Sequence, residues 1–263
     1  MFGHKFRCQS TERVIEEIRN VPDGPCITFG EDSLFLRREG TDRILSHLRE
    51  HRRKSGWGCN FVAVGFESLS LSSLEKMKKG KQTPEDIFRA ARLLRKYNIP
   101  AKGLFVFGWD DDSLESIREV ARFCNRERLT AFAFTILTPF CGTEIEREFE
   151  AAGRIWTRDW RWYDTLHAVY EPTSMTAAEL QRNVYQAYHD MAGTPALIMC
   201  AVRSIPDILA GGKHIREAIS RSLEALKFRV GVRKLLPAWE ETNREFLELM
   251  ARQAPEAAAG RDA

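Results

Sequence analysis

The sequence predicts an α/β chain: an incomplete parallel (β/α) barrel followed by a C-terminal α-helical region. Three observations lead there. Four short apolar, β-branched or aromatic runs, each bounded by glycine, proline or polar residues, read as strands buried on both faces. Stretches with apolar residues at helical spacing separate them, which implies right-handed β-α-β units and a mainly parallel sheet. Beyond about residue 155 the strand pattern stops and helical patterns take over. A closed barrel needs eight strands, twice the number present, so the barrel is read as incomplete.

In chain order, Ser10 precedes a helical stretch with Val14, Ile15 and Ile18 on its apolar side. The first strand is Cys26-Ile27-Thr28-Phe29 and the second runs from Phe61 to Val64. Thr83-Pro84-Glu85-Asp86 supplies an N-cap, a proline at the first helical position and acids in the first turn. The third strand is Leu104 to Phe107. Asp112 with Glu115 then reads as a capping pair, before Ile117, Val120, Ala121 and Cys124 on one face. The fourth strand runs from Ala131 to Leu137, and Thr143 with Glu146 opens the next helix.

Trp156, Trp160, Trp162 and Tyr163 mark an aromatic-rich connector that ends at Pro172. Thr176 with Glu179 caps a helix bearing Leu180, Val184, Tyr188 and Met191, and further helices are expected over 195–210, 213–228 and 238–252. The Ala/Gly-rich end from Pro255 to Ala263 is expected to be a disordered tail. The organisation is thus a core over 1–155, a mostly helical region over 156–254 and a tail over 255–263, without internal repeats.

The 263 residues are 43% hydrophobic and 29% charged, which excludes wholesale disorder. A net charge of +3 gives no strong nucleic-acid signal. No run approaches the roughly 18 apolar residues of a membrane helix. Met1-Phe2-Gly3-His4-Lys5 lacks the layout of a secretory signal, so a cytoplasmic location is expected. Cysteines at 8, 26, 59, 124, 141 and 200 include no Cys-x-x-Cys pair and are expected to be reduced, buried and inert. His47 and His51 have the spacing of a zinc pair but no Glu follows His47, so both read as surface helix residues. Eight Lys/Arg between 203 and 234, against Asp207, Glu217 and Glu224, read as a solvated helix face. The alternative is a basic binding module for RNA or anionic surfaces.

The residues with chemistry sit at strand ends: Phe29-Gly30-Glu31-Asp32, Gly65-Phe66-Glu67-Ser68 and Gly108-Trp109-Asp110-Asp111-Asp112. In parallel sheets ligands collect at the carboxyl ends of strands, glycine lets backbone approach them, and a carboxylate accepts from ammonium or ribose groups. Asp112, directly before a helix, reads as an N-cap. Glu31 and Glu67 lack a capping spacing, so for them a ligand role and a bland one stay open.

These segments, in the order Phe2-Gly3-His4-Lys5-Phe6-Arg7, Ile27 to Asp32, Gly65 to Ser68, Gly103 to Gly108, and Ile136 to Pro139 with Gly142-Thr143, resemble the radical S-adenosylmethionine superfamily, nearest its cobalamin-dependent branch. Trp160, Tyr163-Asp164, His167, Pro172 and Met175 resemble the accessory region of hopanoid-methylase-like members. The resemblance runs to about residue 200. It implies a partial (β/α)6 barrel and a cysteine-ligated four-iron cluster that cleaves S-adenosylmethionine reductively. It also implies methyl transfer with cobalamin to a small-molecule or lipid-like substrate.

Carried over by position, Glu31 and Asp32 match the acidic pair near the methionyl moiety. Glu67, with Ser68, matches the fourth-strand acid facing the same cofactor. Gly103 to Gly108, Phe107 included, match the strand whose backbone lies near the adenine. Two departures stand beside these matches. The family's Cys-x-x-x-Cys-x-x-Cys loop and its cobalamin domain, both upstream of the Phe-Gly-His-Lys-like segment, have no counterpart in these 263 residues. Trp57 also abuts Gly58-Cys59 where the family has a further β-α unit, a loss expected to leave a strand edge or helix face unpaired. The expectation is a truncated methyltransferase-like member without stand-alone activity, with no metal ligand or catalytic residue to name. The alternative within the family is a half-protein completed by a separate chain that carries the cluster and cobalamin modules.

Overall fold

A computed structural model describes residues 10–20, 27–30, 40–55, 59–77, 82–210 and 215–259. The first part alternates: α1 (Thr11–Arg19), β1 (Ile27–Gly30), α2 (Thr41–Ser55), β2 (Cys59–Glu67), α3 (Leu71–Lys76), α4 (Pro84–Lys96), β3 (Ala101–Phe107), α5 (Leu114–Arg126) and β4 (Ala131–Ile136). The strands are all parallel in the order β1-β2-β3-β4, as β-α-β connectivity dictates. Then come α6 (Glu144–Ala151), a 3-10 turn (Trp160–Trp162), α7 (Ala177–Ala192), α8 (Thr194–Leu209) and α9 (Ile215–Ala259).

Local chemistry explains most helix starts. Ser10, Thr83, Thr143 and Thr176 each accept a backbone N–H in the first turn, satisfying donors that the helix leaves without partners. Asp112 does not cap α5. Ser113, one residue later, does so through a reciprocal capping box with Ser116, which frees the Asp112 carboxylate for other work.

The helices expected over 213–228 and 238–252 are one helix. Gly231 and Pro237 lie inside α9 but on its exposed side, while Arg229, Leu236, Asn243 and Phe246 keep the opposite side buried. Packing outweighs the hydrogen bond that Pro237 removes. The helical backbone continues to Ala259, past the Pro255 where a disordered tail is expected. No single helix among the described residues is long and apolar enough to cross a membrane. Helices α7 and α8 pass that test only together, and they meet at a 52° bend.

The principal core is continuous across residue 155. Phe66, Phe105, Phe123, Phe132 and Phe134 interlock at centroid distances of 4.8–6.1 Å, largely edge to face. Leu180, Val184, Ala187 and Met191 of α7 join the same cluster, and the Tyr188 hydroxyl donates to Phe134 C=O while accepting from its N–H. A smaller cluster of Trp162, Val169 and Phe246 ties the aromatic connector to α9. Gln181 fastens that connector by accepting from Ala168 N–H and donating to Leu166 C=O, each at 2.9 Å.

β1 pairs directly with β2, from Ile27 opposite Cys59 to Gly30 opposite Ala63. The expected loss of a β-α unit therefore leaves no gap between these two strands. The Trp57-Gly58 junction itself lies outside the described residues.

Candidate functional site

The carboxyl edge of the sheet is built differently at β2 and at β3. At the end of β2 the register slips between Gly65 and Glu67, which sends Phe66 into the core. Ser68 N–H donates to Phe66 C=O at 2.7 Å, closing a three-residue turn around Glu67. Glu67 has φ 62°, a left-handed conformation that a residue with a Cβ adopts only at a cost. Its side chain is half-buried. Ser68 is buried and accepts from Ser70 N–H at 3.0 Å, and Ser70 in turn caps α3. Ser68 therefore holds the loop that follows Glu67.

At the end of β3 the backbone is already occupied. Gly108 has φ 101°, and a Cβ there would lie 2.2 Å from the Tyr170 hydroxyl and 2.9 Å from Leu180. Asp112 Oδ2 accepts from Gly108 N–H at 2.8 Å and Trp109 N–H at 3.0 Å, and the Tyr170 hydroxyl donates to Gly108 C=O at 2.5 Å. Burial pushes the Asp112 carboxyl up to about 6 against the pull of those two N–H groups. The same cause raises the Tyr170 hydroxyl well above its ordinary range.

Next to it, Arg154 donates to Asp110 at 2.6 and 3.4 Å and to Glu171 C=O at 2.8 Å. Its guanidinium also lies 4.1 Å from the centroid of the Phe149 ring. Burial alone would raise the Asp110 carboxyl, but the Arg154 guanidinium and the Thr173 hydroxyl together hold it below its usual range.

The sequence-derived residues separate accordingly. Glu31 and Asp32 lie outside the described residues. Glu67 pairs with Phe105, two residues or about 7 Å short of Phe107 on the neighbouring strand. Gly103 is not at the edge: it pairs with Val64 and Phe132, about 13 Å back along β3. A Cβ on Gly103 would meet Phe105 at 2.8 Å and Leu129 at 2.9 Å, so its glycine makes room for core packing. Phe107 is buried against Phe134. Glu67 is the one of these whose position and chemistry suit a cofactor ammonium group.

Other residues form a network that the sequence did not reveal. Gly108, Asp110, Arg154 and Tyr170 converge from segments up to 62 residues apart; the Asp110-Asp111-Asp112 run was visible, its partners were not. In the aromatic connector, His167 Nδ1 is 2.9 Å from Asp164 and the ring packs on Trp162 and Phe246. His47 is held by Arg43 C=O at 2.8 Å; the side chain of His51 lies outside the described residues.

The three cysteines whose side chains are described, Cys124, Cys141 and Cys200, do not form a cluster site. Cys124 is buried in the core, its thiol pushed far up by burial. Cys141 is exposed and Cys200 partly so, contrary to uniform burial. Among the described residues no three His, Cys, Asp or Glu side chains gather as metal ligands.

No protein-family model matches the chain. It is 35% identical over 126 residues to a bacteriochlorophyllide d C-12(1)-methyltransferase of Chlorobaculum tepidum, covering 48% of this chain and 27% of that one. It is 25% identical over 202 residues to a hopanoid C-3 methylase of Methylococcus capsulatus, covering 68% and 38%. A radical S-adenosylmethionine methyltransferase from Kitasatospora setae, solved with cobalamin and a [4Fe-4S] cluster, aligns with 66% of this chain and 34% of its own at 20% identity. The TM-score of that alignment is 0.41. Over part of its length, then, the chain is a homologue of methyltransferases, and it spans well under half the length of the two curated relatives named.

Proposed function

We propose that the chain is part of a radical S-adenosylmethionine, cobalamin-type methyltransferase, and that the carboxyl edge of its sheet contributes to the S-adenosylmethionine site. The observation that carries this reading is the 35% identity over 126 residues to a methyltransferase. The parallel sheet supports it, as an arc of the partial barrel that the sequence motifs imply. Glu67 accepts hydrogen bonds from the ammonium group of the cofactor's methionyl end, a charge-assisted contact. The left-handed turn holds that carboxylate at the strand end, and Ser68 secures the loop behind it. S-adenosylmethionine, when bound, supplies the sulfonium chemistry.

The reading assigns no step to a cluster or to cobalamin on these residues, because the described cysteines are scattered. It places the ligands of both groups outside these 263 residues, whether on further sequence or on a second chain. The substrate is taken to be a small or lipid-like acceptor.

Equilibrium dialysis with labelled S-adenosylmethionine tests the reading. Saturable binding is expected, weakened about tenfold, or roughly 1.4 kcal/mol, by Glu67→Gln. Absence of binding, or equal binding by the variant, contradicts it. In anaerobic iron–sulfide reconstitution the 263 residues should not develop stoichiometric four-iron absorbance; a full cluster spectrum would overturn the assignment of its ligands elsewhere.

A further inference from the structure

A second polar site lies at the opposite end of the sheet, where α5 turns into β4 beneath α8 and α9. We infer that this is an oxyanion pocket built for a phosphate-type group, separate from the carboxyl edge that holds Glu67. Its inner wall is lined by Arg128 and Asn125 from the α5–β4 corner, Arg203 and Asp207 from α8, and Arg221 and Arg229 from α9. Four guanidinium groups thus face one carboxylate, a surplus of three positive charges. Asp207 is engaged by both Arg128 and Arg221, so its single charge is shared between them.

The strongest indication is Arg229. It is 1% exposed, yet no carboxylate among the described residues pairs with it. Its terminal nitrogens donate to Ala225 C=O at 3.3 Å and Asn125 Oδ1 at 3.4 Å, both near the limit of a hydrogen bond. Among the described residues its Nε has no partner, and neither does the Nε of Arg221, which is 4% exposed. A buried cation is tolerated when an anion and hydrogen bonds compensate its desolvation, and here both are incomplete. The planar fork of a guanidinium matches two oxygens of a phosphate, which supplies the missing charge and the missing acceptors together.

The shape agrees. The inner space of about 20 Å3 admits one water-sized group, such as a single phosphate oxygen. It shares Asn125, Arg128 and Arg203 with an outer cavity of about 420 Å3; Arg122 and Arg126 also line that cavity but are paired with Glu115 and Glu127 and add no free charge. Arg203, between the two spaces, is exposed, and among the described residues no ion pair or hydrogen bond engages its side chain. The basic segment 203–234 is therefore not one solvated face, because Arg221 and Arg229 point inward. Ile198, Val202 and Ile205 are exposed on α8 next to Arg203, so a phosphate could arrive free in solution or on a lipid headgroup.

Calorimetric titration of the full chain with inorganic phosphate and pyrophosphate, in chloride buffer, provides one arm of the test. Co-sedimentation with phosphatidylcholine vesicles, with and without phosphatidylglycerol, provides the other. Saturable binding in either arm is expected, falling as salt rises and weakened at least tenfold by Arg229→Met and by Arg203→Ala. The responding arm identifies the source of the phosphate. Arg203→Ala, at an exposed position, keeps the test valid should Arg229→Met fail to fold, and it should leave S-adenosylmethionine binding unchanged. No saturable binding in either arm, or binding indifferent to Arg203→Ala, overturns the proposal.

Discussion

The end of β3 and the corner before β4 are both buried, both rich in charge, and both assembled from segments far apart in sequence. They differ in how their charged groups are satisfied. At the end of β3, Gly108 and Asp112 use one another, Tyr170 closes the Gly108 carbonyl, and Arg154 is paired with Asp110. At the α5–β4 corner, two buried guanidinium groups keep an Nε without a partner among the described residues, and one Asp serves two Arg. A network that closes on itself braces the fold. One left open by a charge and several donors is organised for something that arrives. Glu67 shares the carboxyl edge with Gly108 and holds its carboxylate at a left-handed turn.

The largest effect that would sharpen this contrast is at Gly108. Gly108→Ala should cost about 3 kcal/mol or more, from the left-handed backbone and the clash with the Tyr170 hydroxyl. Chemical denaturation measures it, and a loss below about 1 kcal/mol would break the picture of a brace.

Asp112 comes next. Its carboxyl rises from 3.8 to about 6 in the folded chain, so between those values the folded state binds the extra proton. Its contribution to stability is fully present below pH 3.8 and is lost as pH rises towards 6, by up to about 3 kcal/mol. Asp112→Asn keeps an acceptor for the two N–H groups but does not titrate. The difference in melting between wild type and variant should therefore change across pH 4–6 and level off above it. A constant difference would mean that Asp112 does not titrate in this window.

Tyr170→Phe leaves the Gly108 carbonyl without its donor and should cost about 1–2 kcal/mol. Combined with Gly108→Ala it should cost less than the sum, because the clashing hydroxyl is gone. Smallest is Glu67→Gly. Relief of the left-handed conformation, less the added freedom of glycine in the unfolded chain, should stabilise by about 0.5 kcal/mol while weakening S-adenosylmethionine binding. A variant that loses stability instead would show that Glu67 is a structural residue.

Features governed by neighbours in sequence were legible. The four strands lie where the apolar runs placed them, but they are not buried on both faces as expected: β3 and β4 alternate buried with partly exposed residues, so one face is only partly covered. Ser10, Thr83, Thr143 and Thr176 cap as their spacing indicates. Asp112 misled because Ser113 offers the same chemistry one residue later, and the longer reach of the strand-end amides takes the carboxylate. The break expected near 229–237 failed because Gly231 and Pro237 fall on the exposed side of α9, where buried neighbours can hold the helix together. Gly103 looked like part of a cofactor strand, yet its glycine serves the packing of Phe105 and Leu129. The arginine pocket was hidden for the same reason: Arg229 and Asn125 are 104 residues apart, and only the folded chain shows which of the basic residues turn inward.

Hydrogen–deuterium exchange of the full chain, with and without S-adenosylmethionine, tests the central claim most directly. The predicted result is protection over 65–70, around the Glu67 turn, with residues 122–129 unchanged. Protection confined to the α5–β4 corner, or no protection over 65–70 at saturating S-adenosylmethionine, would contradict the assignment of the carboxyl edge to that cofactor.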